Sequence, residues 1–200
     1  MSSEQTFSYS RYLFRRKVFK LFGGEFSVYD PTGGIVLYSK QKAFKLKEDI
    51  RVYSDKSMAT ELLTMKARQI IDFAATYDVV DSRSGAVVGA LRRKGWKSMV
   101  KDEWLFFDPQ GQEISKMQEE RLSLALIRRL FGLSVILSPQ KYIITLRGQS
   151  VAFFKQHHNP FVLKYDLDLS QDYKGKLDRR IAIAAGILLC AIEGRQHSLV

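Results

Sequence analysis

The chain is short of acid: 21 Asp and Glu face 32 Lys and Arg, for a formal charge of +11. Such an imbalance favours encounter with anionic partners such as nucleic acid, anionic membrane surfaces or acidic proteins, and does not choose among them. There is one cysteine, Cys190, which excludes an internal disulfide and any metal site built from several thiolates. It stands inside an apolar run, where a core thiol is the expected role. No catalytic signature is present: no Gly-x-Ser-x-Gly, no phosphate-binding glycine loop followed by Lys-Ser/Thr, and no histidine with an evident acid partner. The expectation is therefore that the protein is not an enzyme and needs no cofactor. Zinc lacks a ligand set, because His157 and His158 are neighbours and point to opposite faces of an extended segment.

Long apolar runs are missing as well. The longest, Ile181 to Ile192, has 12 residues without charge, amide or hydroxyl. Roughly 20 are needed to span a bilayer, and runs of about 10–14 are more often buried helices. Arg179, Arg180, Glu193 and Arg195 close both ends. A helix apolar all round must be buried all round, so this run reads as a central helix about 18 Å long at ~1.5 Å per residue, with Asp178 as its N-cap. Ala182, Ala184, Ala185 and Gly186 allow close approach by neighbouring strands. The N-terminus offers no secretory signal, since Ser2 to Tyr12 lacks an apolar stretch and Arg15-Arg16-Lys17 follows. A cytoplasmic location, with peripheral contact to a membrane, is the expectation.

What the chain does have is a repeated strand, turn, strand device. Phe26–Tyr29 and Ile35–Tyr38 flank Asp30-Pro31-Thr32-Gly33-Gly34. Tyr77–Val80 and Ala86–Leu91 flank Asp81-Ser82-Arg83-Ser84-Gly85. Trp104–Phe107 and Gln112–Ile114 flank Asp108-Pro109-Gln110-Gly111. In each turn the aspartate can accept bonds from amides two or three residues on, while the glycine supplies positive φ. Further strands are expected at Lys17–Leu21, Asp49–Tyr53, Leu62–Arg68, Ile143–Arg147, Val151–Lys155 and Phe161–Leu169. The last alternates most clearly, with Phe161, Leu163, Tyr165, Leu167 and Leu169 on one face. Arg147-Gly148 reads as a tight hairpin turn. A second, amphipathic helix is expected over Glu119–Phe131, with Leu122, Leu126 and Leu130 in line and Gly132 as its stop.

A sandwich would leave one side of the apolar helix in water. A closed sheet wrapped around it would not, and closure also removes the sheet edges. The expected architecture is thus mainly β: a closed antiparallel barrel of about 12 strands enclosing a hydrophobic C-terminal helix. It forms a single domain over residues 12–195, with flexible ends at 1–11 and 196–200, and is expected to be monomeric.

Three stretches carry a family resemblance. They are Val28-Tyr29-Asp30 through Gly34; Tyr77 to Ile114 with Asp81, Gly85, Leu91-Arg92-Arg93-Lys94, Lys97, Trp104, Asp108 and Gly111; and Asp178-Arg179-Arg180-Ile181 leading into the apolar run. Together they resemble the Tubby C-terminal-like superfamily, which includes the LURP-one-related proteins and the phospholipid scramblases. The resemblance implies a barrel around a C-terminal helix and a non-enzymatic role near membranes. The proline- and cysteine-rich N-terminal segments of scramblases are missing. Their acidic calcium loop has only Asp166, Asp168, Asp172 and Asp178 as a counterpart, and an EF-hand register starting at Asp166 puts Gln171 where glycine belongs and Leu177 where the bidentate glutamate belongs.

The basic groups are Arg15-Arg16-Lys17-Lys20, Lys40-Lys42-Lys45-Lys47 and Arg92-Arg93-Lys94-Lys97-Lys101. Lys45 and Lys47 alternate with Phe44 and Leu46, and the third group runs into a turn with Trp96. Cations on one rim beside an aromatic suit phosphorylated headgroups, each contributing about 1 kcal/mol near an anionic surface. Arg92, Arg93, Lys94 and Lys97 are the first candidates for a lipid-headgroup site, and Lys45 and Lys47 the second. A protein-interaction scaffold without a lipid ligand, and a scramblase-like membrane protein, are the alternatives. Nucleic acid is disfavoured, because base-stacking readers need more aromatics among their cations than Trp96 and Phe44 supply.

Overall fold

A computed structural model of the chain describes residues 3–17, 23–42, 49–68, 75–94, 103–120, 139–157, 159 and 162–196. Twelve strands follow one another around a closed antiparallel barrel, each bonded to its neighbours in sequence, with β12 returning to β1. They are β1 (Arg11–Lys17), β2 (Gly23–Tyr29), β3 (Ile35–Lys42), β4 (Ile50–Tyr53), β5 (Glu61–Ala67) and β6 (Thr76–Asp81), then β7 (Val87–Arg93), β8 (Glu103–Phe107), β9 (Glu113–Glu119), β10 (Lys141–Leu146), β11 (Gln149–Gln156) and β12 (Val162–Asp168). A short helix α1 (Ser3–Thr6) precedes them and α2 (Arg179–Gln196) follows.

Period-two alternation builds the wall. In β12, Leu163, Tyr165 and Leu167 are buried while Asp166 and Asp168 face outward, as their neutral and charged side chains require. Tyr12 and Phe14 of β1 follow the same rule, whereas in β8 Leu105 is buried together with Trp104 and Phe106. α2 enters next to the β12 end. Asp178 accepts a bond from the Arg180 amide at 2.9 Å, and its carbonyl accepts from Ile181 and Ala182, which is an N-cap. Every residue from Ile181 to Ala191 is buried. The helix packs on β1, β2 and β12 and also on β6 and β7, the arc six strands away around the ring. Small residues permit the approach. A Cβ on Gly89 of β7 would stand 2.8 Å from Ile181 Cδ1, and one on Gly186 would stand 2.6 Å from Phe14 Cζ.

The two ends of the barrel differ. At the turn end the strands join through compact turns. Asp30 Oδ1 accepts from the amides of Thr32 and Gly34, Asp81 Oδ1 from Arg83 and Ser84, and Asp108 Oδ1 from Gln112. Gly33, Gly85 and Gly111 take positive φ, and the strand register shifts beside each turn, the glycine-bulge solution for a short hairpin. Arg147 and Gly148 both have positive φ, the two-residue turn that matches strand twist. The opposite end, where α2 runs towards its C-terminus, has the longer connections, most of which lie outside the described residues.

Three expectations change. The first strand is Arg11–Lys17 rather than Lys17–Leu21, and residues 18–22 lie outside the described set. Arg15-Arg16-Lys17 concealed it, because an arginine at a core-facing register reads as a break. Arg16 is tolerated there since its Nη1 donates to the Cys190 and Ala191 carbonyls of α2 at 2.8 and 3.2 Å. The amphipathic helix does not begin at Glu119, which closes β9, and the Glu120 amide bonds to the Lys141 carbonyl. The rest of that stretch, 121–138, is not described. Finally, part of the expected flexible N-terminus is packed: Thr6 is buried with its carbonyl accepting from Tyr12 Oη at 3.0 Å, and Phe7 and Tyr9 lie against the core. Burial pushes the Tyr12 phenol up to about 12, keeping it a donor. At the other terminus α2 extends to Gln196, and 197–200 lie outside the described residues.

Candidate functional site

In a meander, odd-numbered strands all end at the same edge. β1 closes with Arg15-Arg16-Lys17, β3 with Lys40 and Lys42, β5 with Lys66 and Arg68 just beyond it, and β7 with Arg92-Arg93-Lys94. All the described members of the three basic sequence groups therefore belong to the end opposite the turns. Lys141, Lys155 and Lys164, on β10 to β12, border the same end. Among the described residues its acids are fewer, and Asp78 pairs with Arg68 at 2.6 Å and Glu103 with Lys94 at 2.6 Å. The Lys94 ammonium, opposed by burial, holds the Glu103 carboxyl below the ordinary glutamate range, with help from Gln118.

The first-choice residues do not form one cradle. Successive strand residues point to opposite faces of a sheet, so Arg92 lies exposed on the outer wall with its guanidinium 4.8 Å from the Phe107 ring centroid. Arg93 falls on the register of buried Leu91 and is half-buried. Lys94 is exposed and holds Glu103 by backbone amide as well as side chain. Lys97, Lys45 and Lys47 lie outside the described residues. The arrangement is a distributed basic edge, suited to a surface of many charges rather than to one small ion. Among the described residues no group of three or more His, Cys, Asp or Glu is placed to hold a metal. Asp172, considered for calcium, is buried and accepts from the Lys176 and Leu177 amides at 2.9 and 3.0 Å, so it shapes the loop before α2.

Sequence reasoning passed over the turn end. A cavity of about 480 Å³ opens there beside the start of α2, lined by Phe7, Leu62, Asp81, Arg83, Gly175, Leu177 and Asp178–Arg180. Arg180 bridges Asp178 at 2.6 Å and Asp81 at 2.9 Å, and these hydrogen bonds raise its pKa, outweighing burial. Burial pushes the Asp81 carboxyl up, but the Ser84 and Arg83 amides and Arg180 outweigh it and leave it lowered. The signal is available in Asp178-Arg179-Arg180, which in the sequence reads as a cap, the close of an apolar run and part of the family resemblance, and not as a site. A second hollow, about 670 Å³, lies on the outer wall between the β2–β3 turn and β11, floored by Leu13, Tyr29 and Phe153. Arg11–Asp168 and His157–Asp166 pairs stand on that wall.

A closed twelve-strand antiparallel barrel followed by one apolar C-terminal helix is the architecture that the Tubby-like resemblance implies. Within that class, the family model for LURP-one-related proteins matches residues 35–189, and the chain belongs to that family, part of the Tubby C-terminal-like superfamily. No curated protein and no solved structure matches it.

Proposed function

We propose that this protein is a non-catalytic module that binds anionic phospholipid headgroups of the phosphoinositide type at a membrane surface, through the basic end of the barrel. The supporting observation is the convergence there of three basic groups far apart in sequence. α2 serves as the axial core of the barrel, a reading supported by its burial along the whole Ile181–Ala191 stretch and its packing on opposite arcs. In this reading the protein docks peripherally: no helix among the described residues is long and apolar enough to cross a membrane. Arg92, Arg93 and Lys94 supply part of the contact, each adding about 1 kcal/mol near an anionic surface.

Sedimentation with anionic vesicles tests this. Binding is expected to weaken steeply with salt, because exposed charges are screened beyond roughly 10 Å at 0.1 M. Salt-independent binding, or full binding after Arg92, Arg93 and Lys94 are all changed to Ala, would contradict the proposal. The scaffold reading draws support from the outer-wall hollow, whose half-buried Leu13, Tyr29 and Phe153 offer an apolar floor to a protein partner.

A further inference from the structure

The turn end carries a second surface, unrelated to the lipid reading in its residues. The large hydrophobic side chains that stand exposed among the described residues are Met58, Val87 and Tyr173, with relative exposures of 41%, 45% and 83%. All three project from this end: Met58 from the β4–β5 loop, Val87 from the start of β7, and Tyr173 from the loop before α2. Leu62, Arg83 and Gly175, close in sequence to these tips, line one cavity at the same end; the tips themselves are not part of its lining. Its inner wall includes the apolar side chains of Phe7, Leu62 and Leu177.

The charge around that cavity is uneven. Its aspartates are engaged: Asp81 accepts from turn amides and Arg180, and Asp178, partly exposed, caps α2 and holds Arg180; nearby Asp172 is buried on amides, and Asp55 of the β4–β5 loop is exposed. Arg83, Lys174 and Lys176 are exposed at the rim, Lys174 with its ammonium 5.5 Å from the Tyr173 ring centroid. A pocket that sets apolar side chains beside charged ones, with exposed cations next to it, is complementary to a peptide that offers an apolar anchor between acidic residues. A basic peptide would meet the exposed cations, and a base-stacking ligand would find one exposed aromatic.

We propose that the turn end is a docking site for an acidic segment of a partner protein, with an apolar side chain of that segment seated between Phe7, Leu62 and Leu177. The protein then has two faces, and a partner docked here leaves the basic end open.

Fluorescence anisotropy on the full chain tests this, with a labelled probe peptide in which Leu and Phe stand among Glu residues and a counterpart with every Glu changed to Lys. The acidic probe is expected to bind saturably and the basic one not. Arg83→Glu with Lys174→Glu is expected to weaken the acidic probe at least tenfold, and Arg92→Ala to leave it unchanged. Tyr173→Ser, at a position too exposed to affect folding, is expected to weaken it several-fold and keeps the test valid should the double variant misfold. Failure of the acidic probe to bind, equal binding of both probes, or loss with Arg92→Ala but not with the turn-end variants would overturn the proposal. So would a turn-end variant that abolishes vesicle binding, since this face would then be a membrane surface. Failure of vesicle binding alone would overturn only the lipid reading.

Discussion

The two ends of this barrel are built from the same alternating strands and yet do different work. At the turn end, acid serves structure: aspartates bind backbone amides, and positive-φ glycines let the chain reverse in a few residues. At the basic end, the described cations collect at strand termini and outnumber the described acids, and Arg16 reaches inward to the carbonyls of α2. A meander sorts residues by their position along each strand, so a charge placed late in β1, β3, β5 or β7 always arrives at the same edge. The gathering of the described basic groups at one end is thus a consequence of topology.

The comparison breaks first at the element both ends share. Gly186→Asp puts a Cβ 2.6 Å from Phe14 and 2.9 Å from Phe154 and buries a carboxylate, a combination expected to cost more than about 4 kcal/mol. The cooperative thermal transition is expected to vanish; a melting point near that of the unchanged protein would show that α2 is not core. Changing Arg92, Arg93 and Lys94 together to Ala comes next. At about 1 kcal/mol per cation, vesicle affinity should fall on the order of 100-fold, while exposed pairs such as Lys94–Glu103 are worth under about 1 kcal/mol, so stability should hardly move. An equal loss of stability would mean that the basic end is structural.

Acid sharpens the contrast. Asp30, Asp55, Asp81 and Asp168 at the turn end, and Glu103 at the other, all have lowered pKa values in the folded protein. A lowered folded value means stability that is present above the unfolded carboxylate range, near pH 4, and lost as pH falls through the folded values. Chemical denaturation is expected to give a plateau at pH 5 and above and a decline below about pH 4. Asp81→Asn and Glu103→Gln are each expected to flatten part of that decline. The smallest effect belongs to Lys94→Ala alone, expected at about 0.5 kcal/mol in a denaturant titration.

Much of the architecture was legible because its signals are local. The three Asp–Gly turns, the Arg147-Gly148 hairpin, the alternation of β12 and the Asp178 cap each depend on a few adjacent residues. Closure followed from one global argument, that a helix without a polar face needs cover on every side. What escaped depends on partners distant in sequence. Arg16 sits at a core-facing register because Cys190 and Ala191, 174 and 175 residues away, supply acceptors. Arg180 looked like a terminal charge until Asp81, 99 residues away, came within 2.9 Å. The basic groups were visible as runs, but a run along a strand spreads over both faces, which is why Arg92 and Arg93 separate.

The proposed lipid site requires the basic end of the barrel to face an anionic membrane. Cys190 is buried, so a cysteine placed at the surface can be labelled on its own. A fluorophore on Lys94→Cys and, separately, on Tyr173→Cys would be challenged with anionic vesicles carrying a lipid-attached quencher. Strong quenching at position 94 and little at 173 is predicted. Quenching at 173 with none at 94 would contradict the orientation and the proposed lipid site with it.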